Sequence, residues 1–528
     1  VLPSRPGVGM RSDGTWVPLS EKSSHRDAGR KVLSDFEKRI PKRKDLWYDD
    51  KRVIFQLAEP AERRERHMRR HIGLALLTAA LSVLLTGCLF RSTEDLYALP
   101  ERFPGYEDLT GKRSEIQAGL EMEYGTTVET AVIYSGDNTS VIQFQDMDGD
   151  GSQETAVISF RIPGAERSLR VYFLTTQGDT ERYEISAVVE GDGTGINAID
   201  YVELSGSGKK EVVVSWRTIE GVNQLGVYSL DELESNETVP VASQLLMTGY
   251  SGYSLLDIDR DTRTELAVIR LDPAGVDSTV EVYGWQNGML DRLGTARLSA
   301  GITALASNGV RINYLTGVIP ALYITSTLTD GGQATDIVAM RDGSLVNLTM
   351  NQETGVSVET IRGYGDIRPM DVNSDTILEM PRPHLLPTYG ENLSSDFWLI
   401  DWSQYDVGGR AAPVFTTYHN MSDQWYLIIP EEWVDQITIS RSDSSGIRAV
   451  IFSLWNGQKK APTPFLAIYK LTGINSSSQA AKEGRFILAE DGDAIYAAEF
   501  FESGWNCGLD EAGVRDSFRL ILSNWAGD

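Results

Sequence analysis

Short apolar runs broken by Gly, Asp and Thr turns set the pattern over most of this chain. From residue 129 onward the runs TAVISF, LRVYFL, YEISAVV and INAIDYV have the length and residue types of strands, with the turns close enough for neighbours to pair. Upstream, Leu109, Ile116 and Leu120 suggest a short helix, and Pro100 and Pro104 before it suggest an extended tether. From about Trp425 strand patterns continue at WYLIIP, QITIS, IRAVIFSLW, PFLAIYK, RFILAE and AIYAAEF. They end in an expected helix with Leu509, Val514, Phe518, Ile521, Leu522 and Trp525 on or near one face. The 49 glycines fit many tight turns better than long helices, so the expected class is mainly β.

An internal repeat carries the chemistry. DMDGDGSQE from Asp146, DIDRDTRTE from Asp257 and DVNSDTILE from Asp371 each match D-x-[D/N]-x-D-x-x-x-E, and weaker copies start at Glu203 and Ile312, so the five starts are 57, 54, 55 and 59 residues apart. A fixed period of this size marks units that stack to bury a face, and four short strands per unit predict a propeller blade. About five blades are expected, with six or seven open, and the ring is expected to close with TAVIYSG and SVIQFQ from the start and FWLIDW and PVFTTYH from the end. Oxygens at positions 1, 3, 5 and 9 of a tight loop, with the position 7 carbonyl and water, suit a hard cation such as Ca2+ in a structural role. The expected donors are Asp146, Asp148, Asp150, Ser152 and Glu154; Asp257, Asp259, Asp261, Arg263 and Glu265; and Asp371, Asn373, Asp375, Ile377 and Glu379. Glu203, Ser205 and Ser207, and likewise Ile312, Tyr314 and Thr316, are expected to hold no ion well, and an empty Asp-Gly turn is the alternative even for the good copies. An EF-hand is excluded because position 12 is Val157, Val268 or Arg382 and the flanks are strand-like. Over residues 129–420 the pattern resembles the calcium loops of FG-GAP and VCBS repeats, the integrin-type β-propeller family. The resemblance implies a propeller with structural calcium.

The address is read from Met68 onward, where MRRHIGLALLTAALSVLLTGC places Arg69 and Arg70 before an apolar stretch and ends in Leu85-Thr86-Gly87-Cys88. Those four residues resemble the lipobox of bacterial lipoproteins, which implies cleavage before Cys88 and lipidation of its thiol; a signal-anchor helix over residues 72–90 is the alternative. The expected organisation is therefore a cytoplasmic or untranslated segment 1–67, a signal peptide 68–87, a tether with a helical foot 88–128, the propeller 129–420 and a small α+β domain 421–528. Translation is expected to begin at Met68. The last domain resembles those that follow such repeats in lipoproteins of gut clostridia, on the WYLIIPEEW and AIYAAEF stretches.

Residues 1–87 hold 18 Lys and Arg against 11 Asp and Glu, and the remainder 31 against 64, a net charge near −33 on the outer part. So acidic a surface disfavours nucleic acid and anionic head groups as partners. Only His384 and His419 lie beyond the anchor, each expected on a turn or surface, and Cys507 has no CxxC partner, so histidine-based zinc or nucleophile chemistry has almost no material. No nucleophile elbow, zincin or phosphate-loop motif is present. Trp216, Trp285, Trp398 and Trp402 are expected to pack between strands, with sugar stacking as the alternative. The expected function is a non-catalytic binding or adhesion module on the outer face of the membrane, with an extracellular protein or glycan as ligand. The alternatives are a carbohydrate-active enzyme with paired carboxylates and a cell-envelope sensor or assembly subunit.

Overall fold

The computed structural model describes residues 8–10, 16–18, 105–176, 182–218, 223–234, 239–363, 367–389, 396–444 and 446–521. Residues 68–104, and with them Cys88 and the expected signal peptide, lie outside the described residues. Two units are separated at residue 100. Of the first, the strands Val8–Met10 and Trp16–Pro18 are described, paired antiparallel. Among the described residues no helix is long and apolar enough to cross a membrane.

The second unit is mainly β, and its strands follow one another as antiparallel meanders, the first two of which are joined into one nine-stranded sheet by a parallel pairing of Val188 with Val241. The first contains Ile142–Gln145, Thr155–Arg161, Leu169–Thr176 and Tyr183–Gly191; the second Gly195–Val202, Glu211–Arg217, Asn223–Glu234 and Val241–Tyr250. Gly252–Leu256, Glu265–Arg270, Thr279–Gln286 and Met289–Arg297 make the third, and Ile302–Leu315, Ile319–Leu328, Gln333–Arg341 and Ser344–Asn347 the fourth. In the fifth, Met380–Leu385, Trp398–Tyr405, Ala411–Asn420 and Trp425–Ile429 are joined by Phe518–Leu520. A sixth group of strands, a sheet of its own, runs in the order Ile437–Ser444, Ile447–Leu454, Thr463–Leu471, Ala494–Phe500, Arg485–Asp491.

Why these runs read as continuous rather than alternating is plain from the packing. Residues 155–160 and 211–216 are buried without a break, because each sheet is covered on both faces. Val212, Val214 and Trp216 face the first meander's Val157, Val171 and Phe173, whereas Val213 faces Leu266 and Val268 of the third. The third turns Ala267 and Ile269 toward Leu322 and Ile324, and the fourth turns Ala321 and Tyr323 toward Leu378, Met380 and Tyr405. Between the fifth and sixth sheets lies a core of Tyr418, Trp425, Trp433, Val450, Phe452, Phe465 and Tyr496. Period-two side-chain alternation thus gives each meander one face for the preceding sheet and one for the next.

The helix Tyr106–Tyr124 covers the outer face of the first meander. Leu109, Ile116 and Leu120, the three apolar positions of its sequence pattern, are the ones buried, against Ala156, Ile158, Phe160, Tyr172 and Leu174. Gly105 and Gly125 bound it in left-handed conformations, and Asp108 in its first turn accepts a hydrogen bond from the Tyr183 amide at 2.6 Å. The helix expected as the foot of a tether is instead part of the core.

Three other expectations change. The strands expected to share a closing sheet do not: Ile142–Gln145 pairs inside the first meander, and Trp398–Tyr405 and Ala411–Asn420 pair inside the fifth. The fifth sheet also runs across residue 421, because Trp425–Ile429 continues it by pairing with Ala411–Asn420. The expected terminal helix spans Glu511–Ser517 and gives way to the strand Phe518–Leu520, since Val514 and Phe518 are drawn into the core beneath it.

Candidate cation loops

The first and third aspartate loops each connect the first strand of a meander to the second, and the fifth begins where Met370 bridges Glu379. The loops share one backbone shape. Positions 4 and 6 are left-handed in four of them: Gly149 and Gly151, Gly206 and Gly208, Arg260 and Thr262, Ser374 and Thr376. In the first two pairs glycine makes this conformation easy, but in the other two it costs an L-residue about 1–2 kcal/mol per position. The position 1 aspartate holds the shape by accepting from backbone amides with both oxygens. Asp146 takes Gly149 and Gly151 at 2.7 and 3.0 Å, Asp257 takes Asp261 and Thr262 at 3.1 Å each, and Asp371 takes Asp375 and Thr376 at 3.0 and 2.8 Å.

A second lock joins position 9 to position 2. The Ile258 amide donates to Glu265 at 2.9 Å and the Val372 amide to Glu379 at 2.8 Å. The second loop has the same lock, Leu204 to Glu211 at 2.8 Å, so this copy keeps its position 9 glutamate although Ser205 and Ser207 replace the aspartates. Sequence spacing passes over this glutamate because serines stand at positions 3 and 5, where the ion donors are expected. In the fourth copy Ile312 and Tyr314 are absorbed into the strand Ile302–Leu315, and there is no acidic loop.

Carboxylate oxygens converge in each of the three good copies, within 4.8 Å of one another: Asp146, Asp148, Asp150 and Glu154; Asp257, Asp259 and Glu265; Asp371, Asp375 and Glu379. Asp261 is left out of the second group, because Arg263 takes it. Asn373 stands in the fifth loop with its amide oxygen accepting from the Asp375 amide at 3.0 Å, and Gln404 donates to both Asp375 and Glu379 at 2.7 Å. The donors fit a hard divalent cation: they are all oxygen, and Glu154 Oε2 is buried with no hydrogen-bond partner among the described residues. Crowding of like charge is evident at Glu265, whose carboxyl is pushed up to about 7, first by burial and then by Asp259, Asp261 and Asp257. Burial likewise raises Glu379. Adjacent loops sit side by side, for the Lys210 amide donates to the Met147 carbonyl at 2.9 Å and a Cβ on Gly149 would fall 2.1 Å from the Gly208 carbonyl oxygen.

No family model and no curated protein matches this chain. Among solved structures, an exotype rhamnogalacturonan lyase aligns at 11% identity over 71% of this chain and 73% of its own, with a TM-score of 0.26. A candidate 6-phosphogluconolactonase from Bacteroides fragilis aligns at 10% identity over 64% and 93%, with a TM-score of 0.23. Likenesses this faint carry no argument about fold or activity.

The remaining candidates resolve by burial. Trp216 and Trp402 are interior, donating to the Tyr228 hydroxyl at 3.1 Å and the Thr417 hydroxyl at 2.7 Å, so neither offers a face to a sugar; Trp285 and Trp398 are half-buried. His384 is half-buried beside Asp401 and Asp435. His419, expected on a turn or surface, is instead buried, stacked on Tyr426 at 5.0 Å and tilted against Trp402. Cys507 is buried, and its carbonyl accepts from the Trp433 indole at 2.7 Å.

Burial lowers the His419 pKa from 6.5 to about 3. The unfolded chain therefore binds a proton below 6.5 that the folded chain refuses, and the stability this neutral imidazole contributes is full above 6.5 and lost as pH falls toward 3. Urea midpoints at pH 7.5 and pH 5 are expected to differ by an amount worth about 2 kcal/mol from this group. His419→Phe should flatten that part of the slope; an unchanged slope would mean that the imidazole is protonated within the fold.

Proposed function

We propose that the chain is a lipoprotein anchored through Cys88 on the outer face of a membrane, and that its stacked meanders form a calcium-braced scaffold of the FG-GAP/VCBS type serving as a non-catalytic binding module. The observation that carries this reading is the recurrence, in three meanders, of one loop backbone with carboxylates converging on a common point. The aspartates accept the loop's own amides, and the convergence of three or four carboxylates within 4.8 Å supports a cation beyond that. Each four-stranded meander is read as one propeller blade, and the helix Tyr106–Tyr124 as the cover on the free face of the first.

One cleft supports the binding reading. The cleft of about 390 Å³ between the third and fourth meanders is lined by Val276, Thr295, Arg297, Leu298, Asn347 and Met350 among others, with no carboxylate or imidazole. Paired-acid glycoside chemistry has no purchase there. An extracellular protein or glycan is the proposed ligand.

Cells expressing the full chain are expected to incorporate labelled fatty acid into it, to display it on their surface, and to retain glycan or protein probes from an array in calcium. With Cys88→Ser the label is lost and the protein leaves the membrane fraction. Absence of fatty acid from the wild-type chain would sink the anchor, and surface display without retention of any probe would sink the binding role.

A further inference from the structure

Where the fourth meander leads into the fifth, three arginines stand without an acid. Arg311 lies on the strand Ile302–Leu315, Arg362 follows the turn Val358–Thr360, and Arg368 comes just ahead of the fifth aspartate loop. Arg311 Nη1 donates to the Pro369 carbonyl at 3.0 Å, which ties its strand to the backbone beside Arg368. Arg362 is only 2% exposed, and its backbone exchanges hydrogen bonds with Gln333 at 2.8 and 2.9 Å. Arg311 and Arg368 are half-buried and keep the cluster in touch with solvent.

The Arg362 guanidinium is satisfied on one side only. Its Nη1 donates to the Thr335 hydroxyl at 3.0 Å and to the Thr360 carbonyl at 3.2 Å. On the other edge Nη2 reaches the Gln333 side-chain oxygen only at 3.5 Å, and Nε is buried with no hydrogen-bond partner among the described residues. Nε and Nη2 form the edge of an arginine that meets two oxygens of a carboxylate or phosphate at once. The acids nearest in the chain are engaged elsewhere: Asp336, buried beside Thr335 on its strand, accepts from Ser299, Asn347 and Ser357, and Glu359 pairs with Arg382 at 3.2 Å. A buried charge is costly unless paired. Burial, and after it the charge of Arg368, pushes Arg362 down to about 10 and lowers Arg311 in the same way, yet at neutral pH both keep their protons. In a chain of net charge −26, so local an excess of cations is out of keeping with the rest of the surface.

We infer that the Nε–Nη2 edge of Arg362 is an oxyanion site, which takes a carboxylate or a phosphate group in a two-point contact while Arg311 and Arg368 supply positive charge beside it. Gln333 is the residue that yields. Its side-chain oxygen stands at the far limit of hydrogen bonding from Nη2, and an incoming oxyanion replaces that contact with a charge-assisted one. The site shares no residue with the aspartate loops or with the lining of the cleft between the third and fourth meanders, so it stands whether or not those loops hold a cation. Its ligand is defined by the acidic group alone, whether free in solution or carried by a larger molecule.

The test is titration calorimetry of the full chain, freed of divalent cations on a chelating resin, with inorganic phosphate and separately with acetate, at an ionic strength held constant with chloride. Uptake of at least one of the two is expected, and the tighter of them names the oxyanion the edge prefers. Arg362→Lys keeps the charge but loses the fork, and is expected to abolish that uptake. Should this buried variant fail to fold, Arg368→Gln is the second measure: its side chain holds no other described residue, and loss of its charge is expected to weaken uptake by about tenfold. Uptake lost in Arg362→Lys but untouched in Arg368→Gln would keep the fork and strike the flanking charge. No uptake of either anion by the wild-type chain, or uptake that both variants leave unchanged, would overturn the site.

Discussion

In 10 mM calcium the full chain is expected to melt several degrees higher than in EDTA, and the difference is expected to vanish when Asp146, Asp257 and Asp371 are all changed to alanine. An ion that binds only the folded state stabilises it by RT ln(1 + [L]/Kd). For extracellular-class loops with a Kd of about 10⁻⁴ to 10⁻³ M this is roughly 1.4–2.7 kcal/mol per site. Three sites sum to several kcal/mol, a large share of the net stability of a folded domain. The position 1 aspartate is the one to remove because it serves both roles. Its oxygens hold two backbone amides in each loop and also point into the group of converging carboxylates. The triple variant therefore starts from a lower melting point even in EDTA, by about 1 kcal/mol for each bond removed. The informative quantity is the calcium-dependent increment, measured within each protein by calorimetry. An equal melt in calcium and EDTA for the wild-type chain would mean that the loops are turns closed by their own hydrogen bonds. The left-handed Thr262 and Thr376 would then be held by Asp257 and Asp371 unaided.

How far the sequence could be read depended on whether a feature is local. The shared loop shape was legible because alternate carboxylates recur at a fixed period, and the apolar strands because sheets covered on both faces read as unbroken runs. The helix was visible as Leu109, Ile116 and Leu120. What it packs on was not, since nothing in a helix pattern names its partner. The closing strands were misplaced for the same reason: Ile142–Gln145 and Trp398–Tyr405 carry strand signals that fit many pairings, and only the register with Thr155–Arg161 and Ala411–Asn420 decides. Glycine marked the left-handed positions of the first two loops, but Arg260, Thr262, Ser374 and Thr376 gave no such signal. Nor could spacing foretell that Asp261 would be withdrawn by a side chain two residues on.

The helix Tyr106–Tyr124 offers the sharpest test of the architecture, because its two readings predict very different energies. As the foot of a flexible stalk it would contribute almost nothing to unfolding, and truncating its apolar side chains would be silent. As the cover of the first meander it keeps Ala156, Ile158, Phe160, Tyr172 and Leu174 from water, and Leu109 and Leu120 are themselves almost wholly buried. Buried Leu→Ala changes cost about 2–5 kcal/mol each, through lost transfer energy and the cavity left behind. Leu109→Ala with Leu120→Ala is therefore expected to lower the stability of the unit by roughly 4–8 kcal/mol, with a clear fall in the urea midpoint. The two residues lie eleven apart on one helix and share the same surface beneath it, so the double loss should fall short of the summed single losses if the helix detaches as a whole. Detachment would bare the aromatic face of Phe160 and Tyr172, and a sheet face of that kind seeks another surface. The double variant is accordingly expected to associate with itself at concentrations where the wild-type chain stays monodisperse, which light scattering would register. A double variant that unfolds at the wild-type midpoint and remains monodisperse would return the helix to the tether. It would leave the first meander to find its cover elsewhere in the chain.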